Sequence, residues 1–370
     1  MSHFVPRHET VNMVQLLTPE GERVTDERFT WQGTDDEIKG YLRDMVLARR
    51  FDNEAHALQR HGELGLWPPL RGQEAAQVGS GRAVGPNDVV FPSYREHAVA
   101  MVMGVDVADL LGLFRGSHPG DWTGLPTFRN YAIVIGTQAL HATGYAMGMQ
   151  FDGMVGNDDP TRNGAVVAYH GDGASSQGDV NEAYVFAASY SAPVVFFCQN
   201  NQWAISEPIS RQTKIPLFQR ANGFGFPGVQ VDGNDVLAVR TVTDWALDRA
   251  RSGKGPTFIE AFTYRMGAHT TSDDPTKYRL AAEDEHWRLK DPIERVKAYL
   301  VRGGHMSTDE LAALDAEADE LGERVRTLVK ELPNKTMDEM FGTVYAEQTP
   351  YLEAQRREFA DYQASLEVLS

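Results

Sequence analysis

The residues with the clearest potential for chemistry lie in a glycine-rich run at 171–178, GDGASSQG, between a strand-like segment and a helical one. Glycines at a strand-to-helix turn let the backbone approach a phosphate, as in dinucleotide-binding folds and P-loops. The dinucleotide fingerprint would require glycine in place of Ser176, and the Gly-Lys-Ser or Gly-Lys-Thr of a P-loop does not follow. Because Asp172 would repel a diphosphate unless a cation lay between them, the run predicts a diphosphate bridged by Mg²⁺.

A second polar run, QNNQWAIS at 199–206, begins about thirty residues after the first and follows the next strand-like segment. Side-chain amide oxygens are hard, neutral ligands that suit Mg²⁺. The carboxyl ends of adjacent parallel strands meet at one edge of a sheet, so we expect the loops bearing Asp172 and Asn201 to meet there. Either run alone usually reflects tight backbone geometry, whereas the two at this spacing indicate a metal–diphosphate site.

The elements that must position these runs are a strand at 165–169, a helix at 179–190 and a strand at 194–197, which form a βαβ unit. A helix at 241–251 and a strand at 257–262 extend this unit. The strands are nearly continuous in apolar residues, which is typical of a parallel sheet covered by helices on both faces. The sequence therefore predicts an α/β fold with a mostly parallel sheet.

The segment before this unit supplies a long helix and a short strand. Thr34 precedes an acidic turn and an apolar stripe, which predicts an N-capped helix from residue 35 to about residue 60. A strand at 89–91 leads directly to Tyr94 and Arg95.

Three regions follow from these patterns. Residues 1–34 are polar and weakly patterned and are interpreted as an N-terminal arm. Residues 35–280 contain the α/β domain. Residues 281–370 are charged and carry apolar residues at helical spacing, so we expect a helical region that packs on the same domain and on partner subunits.

The composition is that of an ordinary globular protein. The 370 residues are 42% hydrophobic and carry a formal net charge of -17, which argues against nucleic acid or an anionic membrane as a partner. No apolar stretch reaches the roughly 18 residues of a membrane span, and no secretory signal is visible. Cys198 is the single cysteine, so an intramolecular disulfide is impossible and a cytoplasmic protein is expected.

The two polar runs resemble the thiamin diphosphate motif, in which GDG is followed about thirty residues later by NN. The likeness continues in RGQEAA at 71–76, FPSYREH at 91–97, IGTQ at 135–138 and HTTSDDP at 269–275. These segments resemble the alpha subunit of the decarboxylating component of 2-oxo acid dehydrogenase complexes, from about residue 35 to 360. The resemblance implies thiamin diphosphate and Mg²⁺ as cofactors, a 2-oxo acid as substrate, and acyl transfer to the lipoyl domain of the acyltransferase component.

The resemblance also implies a partner chain. Alpha subunits of this family borrow the domain that grips the aminopyrimidine ring from a separate beta subunit, in an α2β2 heterotetramer. The sequence contains strand signals for the diphosphate-binding module alone, so we expect the isolated chain to lack decarboxylase activity and to bind the cofactor weakly.

The resemblance further implies a role for individual residues. Asp172, the Asn201 side chain and the Trp203 carbonyl would hold Mg²⁺ together with two diphosphate oxygens. Tyr94 and Arg95 would reach the same diphosphate, for which a guanidinium is well suited. The other implied cofactor-binding residues are Gly171, Gly173, Ala174, Ile135 and His269.

Catalytic and substrate-binding roles follow from the same resemblance. His269 corresponds to the active-site histidine of the family and, with Tyr94, is expected to act near the cofactor and the incoming lipoyl group. The bulk of Ile135 would bend the two rings of the cofactor toward each other. Leu66 and Trp67 would line the pocket for the substrate side chain.

Some positions carry a weaker implication or depart from the family pattern. Thr137 and Gln138 fall where some relatives hold a structural K⁺ ion. His170 and Gln199 replace the residue types expected beside the two motifs, and residues 151–163 form a longer segment than usual. The sequence indicates no role for these last three features.

The substrate is the least determined part of this hypothesis. The run at 199–206 and the ending TVYAE at 343–347 are more similar to branched-chain members than to pyruvate members. Branched-chain 2-oxo acids are therefore favoured, and a pyruvate dehydrogenase alpha subunit is the alternative. Two hypotheses from other classes are an NAD-binding dehydrogenase and a non-catalytic scaffold built on the helical C-terminal region.

Overall fold

The computed structural model describes residues 8–117, 122 and 124–367. Residues 1–7 of the predicted arm and residues 368–370 of the predicted C-terminal region lie outside this part. The strands, in chain order, are β1 (Val89–Phe91), β2 (Val166–Gly171), β3 (Val194–Asn200), β4 (Trp203–Ala204), β5 (Glu207–Pro208), β6 (Gly228–Asp232) and β7 (Thr257–Phe262).

Five of these strands form one parallel sheet in the order β1-β2-β3-β7-β6, and β4 and β5 form a short antiparallel pair. Successive residues of a strand point to opposite faces, so Val167 and Phe197 lie in one hydrophobic core while Ala168 and Phe196 lie in the other. Both faces of the sheet are therefore buried. The predicted α/β fold with a mostly parallel sheet is confirmed.

Helices cover both faces of this sheet and continue into the C-terminal region. They are α1 (Asp35–Arg60), α2 (Glu74–Gly81), α3 (His97–Met103), α4 (Val107–Arg115), α5 (Thr137–Phe151), α6 (Gly178–Tyr190), α7 (Ile209–Gln212), α8 (Arg220–Phe224), α9 (Val236–Arg251), α10 (Ala281–Arg288), α11 (Pro292–Arg302), α12 (Thr308–Glu331), α13 (Met337–Gly342) and α14 (Pro350–Glu367). Helices α1, α2 and α9 contribute to the core on one side of the sheet, and α5, α6 and α8 contribute to the other. Within the described part, none of the helices combines the length and the hydropathy that crossing a bilayer requires.

Helix α1 begins and ends where the sequence predicts. The Thr34 hydroxyl accepts a hydrogen bond from the Glu37 N–H, and the Glu37 carboxylate accepts one from the Thr34 N–H, which forms a capping box. Leu42, in the middle of the apolar stripe, is fully buried. Helix α12 packs along α1, where Lys39 pairs with Glu310 at 2.9 Å.

The N-terminal segment is attached to the edge strand β6. Val14 forms a parallel bridge with Val231. The N–H groups of Leu16 and Leu17 both donate to the Asp235 carboxylate at a distance of 2.6 Å. The predicted boundaries between arm, α/β domain and helical region remain predictions.

The carboxyl ends of the parallel strands lie along one edge of the sheet. The loop after β1 carries Tyr94, the loop after β2 carries Asp172, the loop after β3 carries Asn201, and the loop after β7 carries His269. Ligands of parallel α/β sheets bind at this edge, so the fold places the predicted site residues where a ligand is expected.

Candidate functional site

A cavity of about 220 Å³ opens at this edge of the sheet. It is lined by Gln73, Ser93, Tyr94, Arg95, Glu96, Ala132, Val134, Ile135, Gly136, Gln138, Gly171, Asp172, Gly173, Ala174, Gln199, Asn201, Trp203, Ala204, Ile205 and His269. Every residue predicted to bind the cofactor or Mg²⁺ is therefore in its wall. Leu66 and Trp67, predicted for the substrate pocket, are not among the lining residues.

The glycine-rich turn after β2 allows two loops to approach closely. Asp172 directly follows the strand, and a short 3₁₀ helix begins after it at Gly173–Ser176. A Cβ atom on Gly173 would lie only 2.8 Å from the Cβ atom of Ala204, so a larger residue would force the two loops apart. The Ser175 hydroxyl donates to the Asp172 carbonyl oxygen at 2.6 Å and closes the turn.

The Asp172 carboxylate is almost completely buried, with 1% of its surface exposed. Its side chain accepts a hydrogen bond from Gln212 Nε2 at 2.8 Å, and in the described part it forms no ion pair with lysine or arginine. Burial raises the pKa of Asp172 above its ordinary value, and the Gln212 hydrogen bond only partly opposes this. A buried carboxylate that lacks a cation is suited to receive one, since a bound divalent ion would stabilise its charged form.

The turn after β3 presents two further oxygen atoms. Asn201 Oδ1 lies 3.3 Å from the Trp203 nitrogen, and Asn201 Nδ2 donates to Gln73 Oε1 at 3.1 Å. The Trp203 carbonyl accepts a hydrogen bond from Arg265 Nη1 at 3.1 Å. A carboxylate, an amide oxygen and a backbone carbonyl form the hard oxygen set that Mg²⁺ prefers. These residues fit a magnesium–diphosphate group.

Two arginines surround His269. Arg95 is buried, and its Nη2 donates to the His269 carbonyl at 3.0 Å and lies 3.3 Å from His269 Nδ1. Arg265 Nη1 lies 3.4 Å from the same nitrogen. Burial, together with the positive charges of Arg95 and Arg265, lowers the pKa of His269 to about 3. The imidazole is therefore neutral at physiological pH.

The same contacts decide the tautomer of His269. A guanidinium can donate hydrogen bonds and cannot accept them, so Nδ1 must be the acceptor and the proton resides on Nε2. The His269 N–H also donates to Asp273 Oδ2 at 2.7 Å, and the Tyr278 hydroxyl donates to that carboxylate. His269 is thus held by its backbone as well as by its ring, and it can offer an N–H to a ligand.

Comparison with known proteins identifies the family. The family described as "Dehydrogenase E1 component" matches residues 42–338. The chain belongs to the dehydrogenase E1 component family. This confirms the family predicted from the sequence motifs.

Similar E1 proteins carry two kinds of name. The chain is 44% identical over 347 residues to the 3-methyl-2-oxobutanoate dehydrogenase subunit alpha of Mycobacterium tuberculosis, covering 93% of this chain and 92% of the relative. It is 37% identical over 349 residues to the pyruvate dehydrogenase E1 component subunit alpha of Acholeplasma laidlawii, with 92% and 97% covered. The Staphylococcus aureus protein of the latter name is 39% identical over 302 residues, with 80% and 79% covered.

The cavity of this E1 component contains a buried acid that the sequence analysis missed. Glu96 accepts hydrogen bonds from Gln199 Nε2 and from the Ser93 N–H, both at 2.6 Å. Gln77 Nε2 donates to Gln199 Oε1 at 3.1 Å and to the Arg95 carbonyl at 3.0 Å. Gln199 therefore ties the loop of Arg95 to strand β3. Glu96 directly follows Arg95 in the FPSYREH run, which was the available signal.

The two other unexplained features lie away from the cavity. His170 is fully buried in β2, its Nε2 lies 3.2 Å from the Tyr184 hydroxyl, and burial lowers its pKa to about 4. It belongs to the contact between the sheet and α6. Residues 151–163 lead from the end of α5 through a surface turn and a short 3₁₀ helix to β2.

The remaining predicted residues of the E1 component are placed as follows. Ile135 lines the cavity with 40% of its surface exposed, which is unusual for a large apolar side chain and suits contact with a ligand. Gln138 lines the cavity and donates to the Tyr169 carbonyl at 2.8 Å, whereas Thr137 is not in the wall. Trp67 is fully buried, and its indole N–H donates to the Asp52 carboxylate.

Proposed function

We propose that the chain is the alpha subunit of a 2-oxo acid dehydrogenase that uses thiamin diphosphate and Mg²⁺. The enzyme would release CO₂ from a branched-chain 2-oxo acid and transfer the acyl group to the lipoyl domain of the acyltransferase component. The disulfide of the lipoyl group would accept the acyl group together with the two electrons. The observation that carries this proposal is the convergence of Asp172, Asn201, Arg95 and His269 on one cavity at the carboxyl edge of the sheet.

The residues of this chain would bind the diphosphate and its metal ion. Asp172, Asn201 Oδ1 and the Trp203 carbonyl would hold Mg²⁺, which neutralises part of the phosphate charge. Arg95 forms no ion pair with a carboxylate in the described part, so its charge is available for a phosphate oxygen. Thiamin diphosphate, when bound, supplies the carbanion chemistry that protein side chains lack.

The other residues of the cavity wall would orient the bound molecules and donate protons to them. His269 would offer its Nε2–H to the substrate or to the lipoyl group, because its Nδ1 is occupied by the two arginines. Tyr94 has its ring 6.1 Å from the His269 ring and would border the same space. Ile135 would support the bent shape of the cofactor. A K⁺ ion at Gln138 is proposed from the resemblance and would be tested by comparing activity in K⁺ and Na⁺ buffers.

An exposed apolar surface supports a beta subunit as partner. Helices α5 and α6 begin within a few residues of the cavity lining in sequence, and along their length they present large apolar side chains to solvent that are 40% to 81% exposed. They are Tyr145, Phe151, Val185, Phe186 and Tyr190. Large apolar side chains exposed along two neighbouring helices are typical of an interaction site. We therefore place the beta subunit of an α2β2 heterotetramer on this face, where it would complete the cavity.

The substrate proposal follows the higher identity to the 3-methyl-2-oxobutanoate enzyme. The test is CO₂ release by the alpha and beta subunits together, with thiamin diphosphate and Mg²⁺. We expect kcat/KM for 3-methyl-2-oxobutanoate to exceed that for pyruvate by about tenfold or more, since one or two extra methyl groups in a fitted pocket give discrimination of this order. A tenfold preference for pyruvate would contradict the branched-chain proposal, and activity of the alpha chain alone would contradict the partner.

A further inference from the structure

A fully buried carboxylate, Glu260, lies within the parallel sheet on the strand next to the edge strand β6. It lies on β7, paired in register with Cys198 of β3 on one side and with Gln230 of β6 on the other. None of its surface is exposed. Burying a carboxylate in an otherwise apolar sheet costs free energy unless specific hydrogen bonds offset that cost. The partners of Glu260 therefore indicate what it does.

One of its hydrogen-bond partners, Asn200, connects it to the turn at the site. Asn200 Nδ2 donates to Glu260 Oε1 at 2.7 Å, and the Phe218 N–H donates to Oε2 at 3.0 Å. Both carboxylate oxygens are thus used as acceptors, and both donors are neutral. Asn200 is the last residue of β3 and directly precedes Asn201.

Asn200 also holds the turn that follows it. Its Oδ1 accepts a hydrogen bond from the Gln202 N–H at 3.1 Å. Gln202 has a φ of 71°, in the left-handed region that is unfavourable for a residue with a side chain. The Gln202 side chain also donates to the Thr263 carbonyl at 2.9 Å. These bonds hold a turn that would otherwise relax.

We propose that Glu260 is a positioning residue for the metal-binding turn. Through Asn200 it fixes the backbone at Gln202, and so the Asn201 side-chain oxygen and the Trp203 carbonyl that would ligate Mg²⁺. The inference rests on the proposed function, because it takes those two oxygens as metal ligands. Groups that orient metal ligands in this way typically change metal affinity by about 10- to 100-fold when they are replaced.

The chain offers a reciprocal variant and a matched control. Glu260→Gln keeps the size of the side chain but leaves one donor without an acceptor. The double variant Asn200→Asp/Glu260→Gln exchanges donor and acceptor across the same pair and keeps the formal charge. Asp235→Asn is the control, because Asp235 is equally buried but holds Leu16, Leu17 and the start of α9 instead of the turn.

Two readouts are needed, neither of which is enzyme activity. The first is hydrogen–deuterium exchange of peptides covering residues 199–206 in the full chain without ligands. The second is the Mg²⁺ concentration that half-saturates thiamin diphosphate binding to the complex with the beta subunit. We expect Glu260→Gln to increase exchange and to raise this concentration about 10- to 100-fold. The double variant should restore both, and Asp235→Asn should lower the melting temperature without changing either.

The proposal is overturned if exchange in residues 199–206 is unchanged by Glu260→Gln, or if Asp235→Asn raises the Mg²⁺ requirement as much. It is also overturned if exchange increases while the Mg²⁺ requirement stays constant. If Glu260→Gln does not fold, Asn200→Ala breaks the same bond from the other side and decides the question by the same readouts. A wild-type complex that binds no thiamin diphosphate would refute the proposed function, while the exchange data would still report whether Glu260 holds the turn.

Discussion

The lining of the cavity contains two kinds of side chain. On the side of the strand ends, Asp172, Asn201 and Glu96 are buried polar side chains, and each is hydrogen-bonded within this chain. The lining also contains Val134 and Ile205, which are apolar and more than half exposed. Leaving large apolar side chains in water forgoes the free energy of their burial. The contrast supports the proposal that the buried polar residues hold the metal and the diphosphate and that a partner covers the exposed apolar residues.

Removing the Asp172 carboxylate should have the largest effect. Asp172→Ala deletes a proposed metal ligand, and we expect Mg²⁺-dependent binding of thiamin diphosphate to weaken by more than about 100-fold, beyond the range seen when only a supporting group is removed. Isothermal titration of the complex measures this. Asp179→Ala, at an exposed position in the first turn of α6, is the control and should bind normally. Unchanged affinity in Asp172→Ala would show that the metal is held elsewhere.

A charge on the apolar face should separate the partners without unfolding the chain. Phe186→Glu changes a side chain of α6 that is 46% exposed, so we expect its effect on stability to stay within about 0.5 kcal/mol. Size-exclusion chromatography should show the loss of the heterotetramer, and activity should fall with it. Val11→Glu changes an exposed residue of the N-terminal segment and should leave assembly intact. If Phe186→Glu assembles normally, the beta subunit does not bind at this face.

His269 should matter for turnover more than for cofactor binding. Replacing it with Ala removes an N–H donor and proton-transfer group, for which losses of about 10²- to 10⁴-fold in kcat are typical. Single-turnover decarboxylation and a separate cofactor titration distinguish the two effects. Ser272→Ala, at an exposed position in the same loop, should retain activity. Equal losses in the affinity for thiamin diphosphate and in kcat would show that His269 acts as a cofactor ligand alone.

The smallest predicted effect concerns stability in acid. Burial lowers the pKa of His170 to about 4, so between pH 6.5 and 4 the unfolded chain binds one more proton at this position than the folded chain. Stability from this group is complete above pH 6.5 and is lost as the pH falls, by about 1.4 kcal/mol per pH unit. Urea unfolding at several pH values gives the free energy of unfolding as a function of pH. For His170→Gln, the slope of this free energy against pH should be smaller by this amount.

The difference between variant and wild type is the quantity to measure in that experiment. Burial raises the pKa of Asp52 and of Asp235 to about 6, so these acids favour the folded state as the pH falls and partly cancel the histidine in the wild type. His61→Gln, which changes an exposed histidine, should leave the slope unaltered. An identical slope in His170→Gln and wild type would contradict the buried, neutral histidine.

Local signals made much of the fold predictable. Helix α1 was predicted at its observed bounds because its N-cap, acidic first turn and apolar stripe are adjacent in the sequence. Strand β7 was predicted at Thr257–Phe262 because apolar residues stand on both sides of Glu260 in this short segment. Strand β6 was missed because it alternates with Gln230 and Asp232, whose burial depends on distant partners such as Thr10 and Arg295. Such partners leave no local pattern.

The residues of the site were likewise predictable where short motifs contain them and not where distant contacts determine them. Asp172 and Asn201 stand in short motifs, and the parallel sheet brings their loops together as expected. Gln199 was noticed only as a departure, since its partners Glu96 and Gln77 are about a hundred residues or more away in sequence. The position of Trp67 in the core also depends on a tertiary contact, its hydrogen bond to Asp52. The substrate pocket at Leu66 and Trp67 therefore stays a prediction.

The most direct test of the central claim is to locate the metal ion. Crystals of the complex with its beta subunit, grown with thiamin diphosphate and with Mn²⁺ in place of Mg²⁺, would reveal the ion by anomalous scattering. We predict one peak within coordination distance of the Asp172 carboxylate, Asn201 Oδ1 and the Trp203 carbonyl, bridging to the diphosphate. A diphosphate bound in this cavity without a metal at these three atoms, or a metal bound at other residues, would contradict the account.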